Sequence, residues 1–151
     1  MGFRTLEEIR AYRAARAFKR EIYRLLDSSS RAQNDLRFRS QLQEAAASAV
    51  SNIAEGFGRY LAGEFTYFLR VSRGSIKEAL DRIDDGVDRR YFKTESCHRA
   101  RQLGDEASRL TTSLINSLKP FLRRSRPPKK PRKPKKPSPP TPSDSRPDDA
   151  S

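Results

Sequence analysis

Two places in this chain bring together residue types able to do chemistry. Cys97 beside His98 sets a thiol next to an imidazole, and Glu55 and Glu78 are carboxylates in helix-forming surroundings. A nucleophile needs its base within hydrogen-bond reach, but neighbours on a helix point about 100° apart, so Cys97 and His98 do not face each other. Two carboxylates in a bundle could hold a metal pair, yet such sites use Glu-x-x-His units and His98, the single histidine, lies in none. The alternative reading pairs Glu55 with Arg59 and Glu78 with Arg82 at i, i+4, while Asn52 and Ser75 satisfy neighbouring polar groups. The glycines of EGFGRYLAGE are followed by no Lys-Ser/Thr and preceded by no strand, so they make no phosphate loop. With no zinc spacing, triad or nucleotide fingerprint, the sequence carries no catalytic residue, no metal ligand and no cofactor site.

Charge is the stronger signal. The 151 residues carry a formal net charge of +13. From Arg123 onward there are ten Lys/Arg against three Asp, and nine of the ten prolines; the preceding 122 residues hold the remaining 22 basic and 16 acidic groups. The chain therefore divides into a domain over 1-122 and a tail over 123-151. The tail has no large apolar side chain to bury and repeatedly lacks a backbone donor, which predicts a disordered, partly polyproline-like segment. Its run KKPRKPKK supplies Lys129, Lys130, Arg132, Lys133, Lys135 and Lys136. These can neutralise phosphates with release of counterions, and without interleaved aromatic residues they do not stack on bases. A purely solubilising extension is the competing reading.

The elements that position the other charges are helical. Between Thr5 and Leu118 there is no proline, and apolar residues recur every three or four positions. The first helix opens at Thr5 and Glu8 in capping-box spacing and ends before Asp27 to Ser30, with Ala11, Ala15, Phe18, Ile22 and Leu25 inward. Opposite them Arg10, Arg13, Arg16, Arg20 and Arg24 occupy about a third of the circumference. This stripe is a second candidate nucleic-acid surface, or a solvated face that keeps the helix soluble, with Arg37, Arg39, Arg89, Arg90 and Lys93 extending the basic surface elsewhere. The second helix starts near Asn34 or Asp35, buries Leu42, Ala46, Ala49 and Ile53, and ends around Gly56 to Arg59. The third runs from about Glu64 to Asp88 with Phe65, Phe68, Leu69, Ser72, Ile76, Leu80, Ile83 and Val87 on one stripe. The fourth is capped by Thr94, buries Ala100, Leu103, Ala107, Leu110, Leu114 and Leu118, and stops before Pro120. Four such helices with short loops pack most simply as an antiparallel bundle, closest where Ala45 to Ala49 face Ser72, Gly74, Ser75 and Ala79.

The linked runs Asn52-Ile53-Ala54-Glu55-Gly56, Gly58-Arg59, Glu64-Phe65, Phe68-Leu69, Gly74-Ser75 and Glu78 resemble the 23S ribosomal RNA intervening-sequence proteins, relatives of the accessory variability proteins of diversity-generating retroelements. The resemblance covers about Phe3 to Leu118. It implies an all-α, up-down four-helix bundle assembled as a ring-shaped homopentamer, with retroelement relatives binding nucleic acid and a reverse transcriptase through a basic surface; it brings no catalytic residues. Tyr12 stands where such proteins often have tryptophan, and the tail is not part of the pattern. Ser48, Asn52, Glu55 and Arg59 form one polar line, expected to set the register between the second and third helices.

No apolar run approaches the ~20 residues of a membrane span and the start lacks a signal-peptide core, so a soluble cytoplasmic protein is expected. The expected function is a non-enzymatic oligomeric scaffold that binds RNA or DNA without sequence preference. The alternative is a protein-interaction module with no direct nucleic-acid contact.

Overall fold

The computed structural model describes residues 2–124. The expectations for the tail, including Lys129, Lys130, Arg132, Lys133, Lys135 and Lys136, lie outside the described residues. Those described form an all-α structure without strands: a 3-10 turn at Leu6–Glu8, α1 (Arg10–Asp27), α2 (Ser30–Asn34), α3 (Leu36–Gly58), α4 (Ala62–Asp88), a 3-10 turn at Thr94–Cys97, and α5 (His98–Arg124).

The apolar stripes read from the sequence are the ones that turn inward. Phe18, Ile22, Leu42, Ala46, Ala49, Ile53, Phe65, Leu69, Ile76, Ile83, Ala100 and Ala107 are completely buried, whereas Phe68, Leu80, Val87, Leu103 and Leu110 are half-buried at the edges of the core. The pairing of α3 with α4 is the most extensive, and α1 and α4 each also pack on α5. Ser72 Oγ donates to the Ala49 carbonyl at 2.6 Å, and the Ser48 and Ser75 hydroxyls lie 2.9 Å apart. Gly56 faces Phe65 and Phe68. These contacts step in opposite directions along the two helices, so α3 and α4 run antiparallel with small residues at the seam.

The helix ends depart from expectation in four ways. Thr5 caps nothing with its side chain; Glu8 Oε2 accepts the Arg4 amide at 3.1 Å, and the chain makes a 3-10 turn before α1 starts at Arg10. Ile9 is therefore extended rather than helical and is buried, although a helical wheel places it among the arginines. Second, the Ser28 to Asp35 break contains a helix of its own, because the Ser29 hydroxyl accepts the Ala32 amide at 3.2 Å and buries Ala32. Third, Thr94 opens a 3-10 turn with Lys93 at the N-cap position, so it is not the cap of α5. Fourth, Pro120 lies inside α5, which continues to Arg124. A proline removes one helical hydrogen bond and crowds the preceding turn, but the half-buried Leu122 lies beyond it, 3.9 Å from where a side chain at Gly63 would begin.

Gly56 does not end α3. It is buried within the helix, and a Cβ there would stand 2.7 Å from Phe68 Cβ and 2.9 Å from the Phe65 ring. The residue that takes the left-handed conformation after α3 is Tyr60, at φ 59°. Gly56→Ala is expected to destabilise the fold by up to about 2 kcal/mol: helix propensity gains roughly 1 kcal/mol, but overpacking against an atom fixed to the α4 backbone costs about 1–3. A lowered urea midpoint at unchanged slope is the expected result.

Of Asn34 and Asp35, the two residues at which the sequence could start this helix, it is Asp35 that caps α3. Its Oδ1 accepts the Phe38 amide at 3.0 Å and its Oδ2 the Tyr91 hydroxyl at 2.7 Å. These two hydrogen bonds hold the carboxyl below its usual 3.8. A depressed folded pKa contributes stability that is complete above the unfolded value and is lost as pH falls through the folded one. Asp35→Asn should therefore lower stability at neutral pH and flatten its decline below about pH 4, as read by thermal unfolding across the acid range.

Candidate nucleic-acid interface

The five arginines of α1 share one side of the helix opposite its buried face, but they are not equivalent. Arg10 and Arg20 are exposed and make no ion pair with other described residues. Arg13 folds back to donate to the Glu7 carbonyl. Arg16, half-buried, lies 5.5 Å from the centre of the Tyr12 ring. Arg24 makes two hydrogen bonds to Glu21, at 2.5 and 3.0 Å, and these hold the Glu21 carboxyl below its usual range. From Arg10 to Arg24 the row spans about 21 Å at 1.5 Å per residue, with Arg10 at one end and Arg20 about 15 Å along it.

The structure also shows a second basic row that the sequence reading did not single out. Arg70, Arg73 and Lys77, all exposed, border a groove between α4 and α5 that is also lined by Asp105 and Ser108; Arg73 donates to Thr112 Oγ1 at 3.3 Å. Their spacing of three and four puts them within about 60° of each other on the wheel, so the signal was present in the sequence. The apolar and small residues of the same helix masked it.

Among the carboxylates, Glu55 forms the expected pair with Arg59, at 2.6 Å, but both side chains are about half exposed. The ion pair joins α3 to its own C-cap, and although the Arg59 guanidinium stands 5.6 Å from the centre of the Phe68 ring on α4, no hydrogen bond from the pair crosses to α4 among the described residues to fix the register. That role falls to Ser48, whose hydroxyl meets Ser75 while its own carbonyl and hydroxyl both accept from Asn52 Nδ2, at 2.8 and 2.9 Å. The expected Glu78 to Arg82 pair does not form: Glu78 is exposed, and Arg82 Nε is buried without a partner. Cys97 is fully buried, which pushes its thiol pKa up and keeps it protonated, while His98 is exposed. No group of three or more His, Cys, Asp or Glu side chains gathers among the described residues. No described helix is long and apolar enough to cross a membrane.

A family model for the 23S rRNA-intervening sequence proteins matches residues 7–113. The chain belongs to this family. The matched span runs from the turn before α1 through most of α5, so it contains both basic rows and the Ser48 and Ser75 seam, and it leaves out the segment from 114 onward. Comparison with curated proteins finds no match.

Proposed function

We propose that this family member is a non-enzymatic scaffold that binds RNA or DNA without sequence preference. Arg10, Arg13, Arg16, Arg20 and Arg24 on α1, together with Lys129, Lys130, Arg132, Lys133, Lys135 and Lys136 of the tail, supply the phosphate contacts. The observation that carries this reading is the α1 row itself, in which Arg10 and Arg20 stand exposed with no acidic partner among the described residues. Positive charges held on one side of a rigid helix attract a polyanion through counterion release and need no pocket.

The finer features follow the same proposal. The four long helices form an antiparallel up-down bundle, supported by the opposed steps of the α3 and α4 contacts and by the packing of both α1 and α4 on α5. The bundle assembles as a homopentamer in the cytoplasm, encoded within a ribosomal RNA intervening sequence or acting beside a reverse transcriptase. Apolar side chains left in water at the α3 to α4 turn, Tyr60 (80% exposed), Leu61 (61%) and Tyr67 (62%), favour contact with a further protein surface. They equally support the alternative of a protein-interaction module.

Salt dependence separates the two. Binding of the full chain to mixed-sequence RNA and DNA, followed by fluorescence anisotropy, should weaken steeply between 50 and 200 mM salt, by roughly tenfold or more, and weaken again on deletion of 123–151. Absence of binding at low salt, or binding indifferent to salt and to both basic segments, overturns the nucleic-acid reading. Light scattering of the same preparation reads the assembly.

A further inference from the structure

A cleft of about 440 Å³ opens between the start of α3 and the C-terminal half of α4, lined by Asp35, Arg37, Phe38, Gln41, Arg82 and Arg89. Three guanidinium groups share it with one carboxylate, and that carboxylate is already occupied. Asp35 accepts from the Phe38 amide and the Tyr91 hydroxyl, with Arg89 3.7 Å away, so it also closes the N-terminus of α3 to any other anion. Arg89 is in turn held by Asp85 at 2.8 Å. Arg37 and Arg82 are left with no ion pair among the described residues, and Arg82 Nε is enclosed with no hydrogen-bond partner. Guanidinium groups without an anionic partner attract an oxyanion, whose several acceptor oxygens can take charge-assisted hydrogen bonds from more than one of them.

We propose that this cleft binds a phosphate group, with the guanidinium groups of Arg82 and Arg37 donating to its oxygens and the Gln41 amide and Arg89 at its margin. The volume falls in the ~300–1,000 Å³ range of small-ligand sites and leaves room for a phosphate with bound water. The site includes no residue of α1 and none of 125–151, so it stands or falls independently of the interface proposed above.

The test uses the full ¹⁵N-labelled chain titrated with inorganic phosphate at constant ionic strength, following the arginine Nε–H resonances. The Arg82 Nε–H is expected to shift saturably, whereas diffuse binding by other basic residues leaves it in place. Arg82→Met, which keeps the volume and removes the donors, should weaken the saturable binding about tenfold or more while the urea midpoint stays the same or rises. Arg37→Gln, at an exposed position, gives the same reading if Arg82→Met fails to fold. Parallel titrations with a nucleoside 5′-monophosphate and with a dinucleoside monophosphate having only an internal diester tell a free phosphate ester from a nucleic-acid backbone as the source; saturation by either supports the site. An Arg82 resonance that does not move with any of the three, or phosphate affinity unchanged in both variants, overturns it.

Discussion

Phe18→Ala is expected to lower the unfolding free energy by about 3–5 kcal/mol, a large share of the ~5–15 kcal/mol that holds a domain of this size together. Phe18 is completely buried within the larger core cluster. Its ring lies so close to α5 that a Cβ built on Gly104 would meet it at 2.9 Å and the Leu80 side chain at 2.7 Å. Because the α5 backbone is already in contact at that level, the surrounding helices cannot close over the space left by a missing ring. The substitution therefore removes both the transfer energy of the ring and the dispersion attraction of its neighbours, leaving a lasting cavity. Urea unfolding at a fixed protein concentration should show the midpoint fall with little change in slope. A destabilisation below about 1 kcal/mol would mean that the core collapses locally, contrary to the packing at Gly104.

Replacing Arg10, Arg13, Arg16, Arg20 and Arg24 together with glutamine should cause the largest functional change, making the salt slope of nucleic-acid binding shallower by roughly one for each phosphate no longer neutralised. The five effects should be unequal. Arg24 is bound by Glu21 and Arg13 by the Glu7 carbonyl, so each has to release an existing partner before meeting a phosphate. Arg10 and Arg20 have no acidic partner to release among the described residues. The double variant Arg10→Gln with Arg20→Gln is therefore expected to account for most of the change, and Arg24→Gln alone for little. Glutamine at the exposed and unpaired Arg10 and Arg20 leaves stability within about 0.5 kcal/mol at each position, so anisotropy of that double variant across a salt series reads the interface and not the fold. Equal slopes in the wild-type and five-fold variants would remove α1 from the interface and shift the search to Arg70, Arg73 and Lys77.

The residues that carried the family resemblance, from Asn52 to Glu78, turn out to be mainly structural. Gly56 permits the close approach of α4, Ser75 meets Ser48 across the seam, and Phe65 and Leu69 fill the smaller core cluster. Glu55, at first sight a possible metal ligand, is an exposed partner of Arg59. The prominence of these residues in the sequence therefore reflects the packing of α3 on α4.

The sequence alone determined the helical class, the inward stripes, a start of α3 at Asn34 or Asp35, the basic α1 row and the family. Each depends on the residues of one segment: a repeat of three and four places side chains on one face whatever that face meets, and a cap acts within one turn. Only the tertiary structure decided what depends on two segments meeting. It brought Phe65 and Phe68 against Gly56, which made that glycine a close-packing position inside a helix. It put Ile9 into the core, because the chain turns in a 3-10 conformation before α1 begins. It also left Arg82 without the Glu78 partner that i, i+4 spacing offered and set it beside Arg37 in a cleft shared by α3 and α4. An i, i+4 ion pair is worth only a few tenths of a kcal/mol, so packing between helices readily overrides it; the energy of burying a ring or fixing a seam is several times larger and appears only when the helices are together.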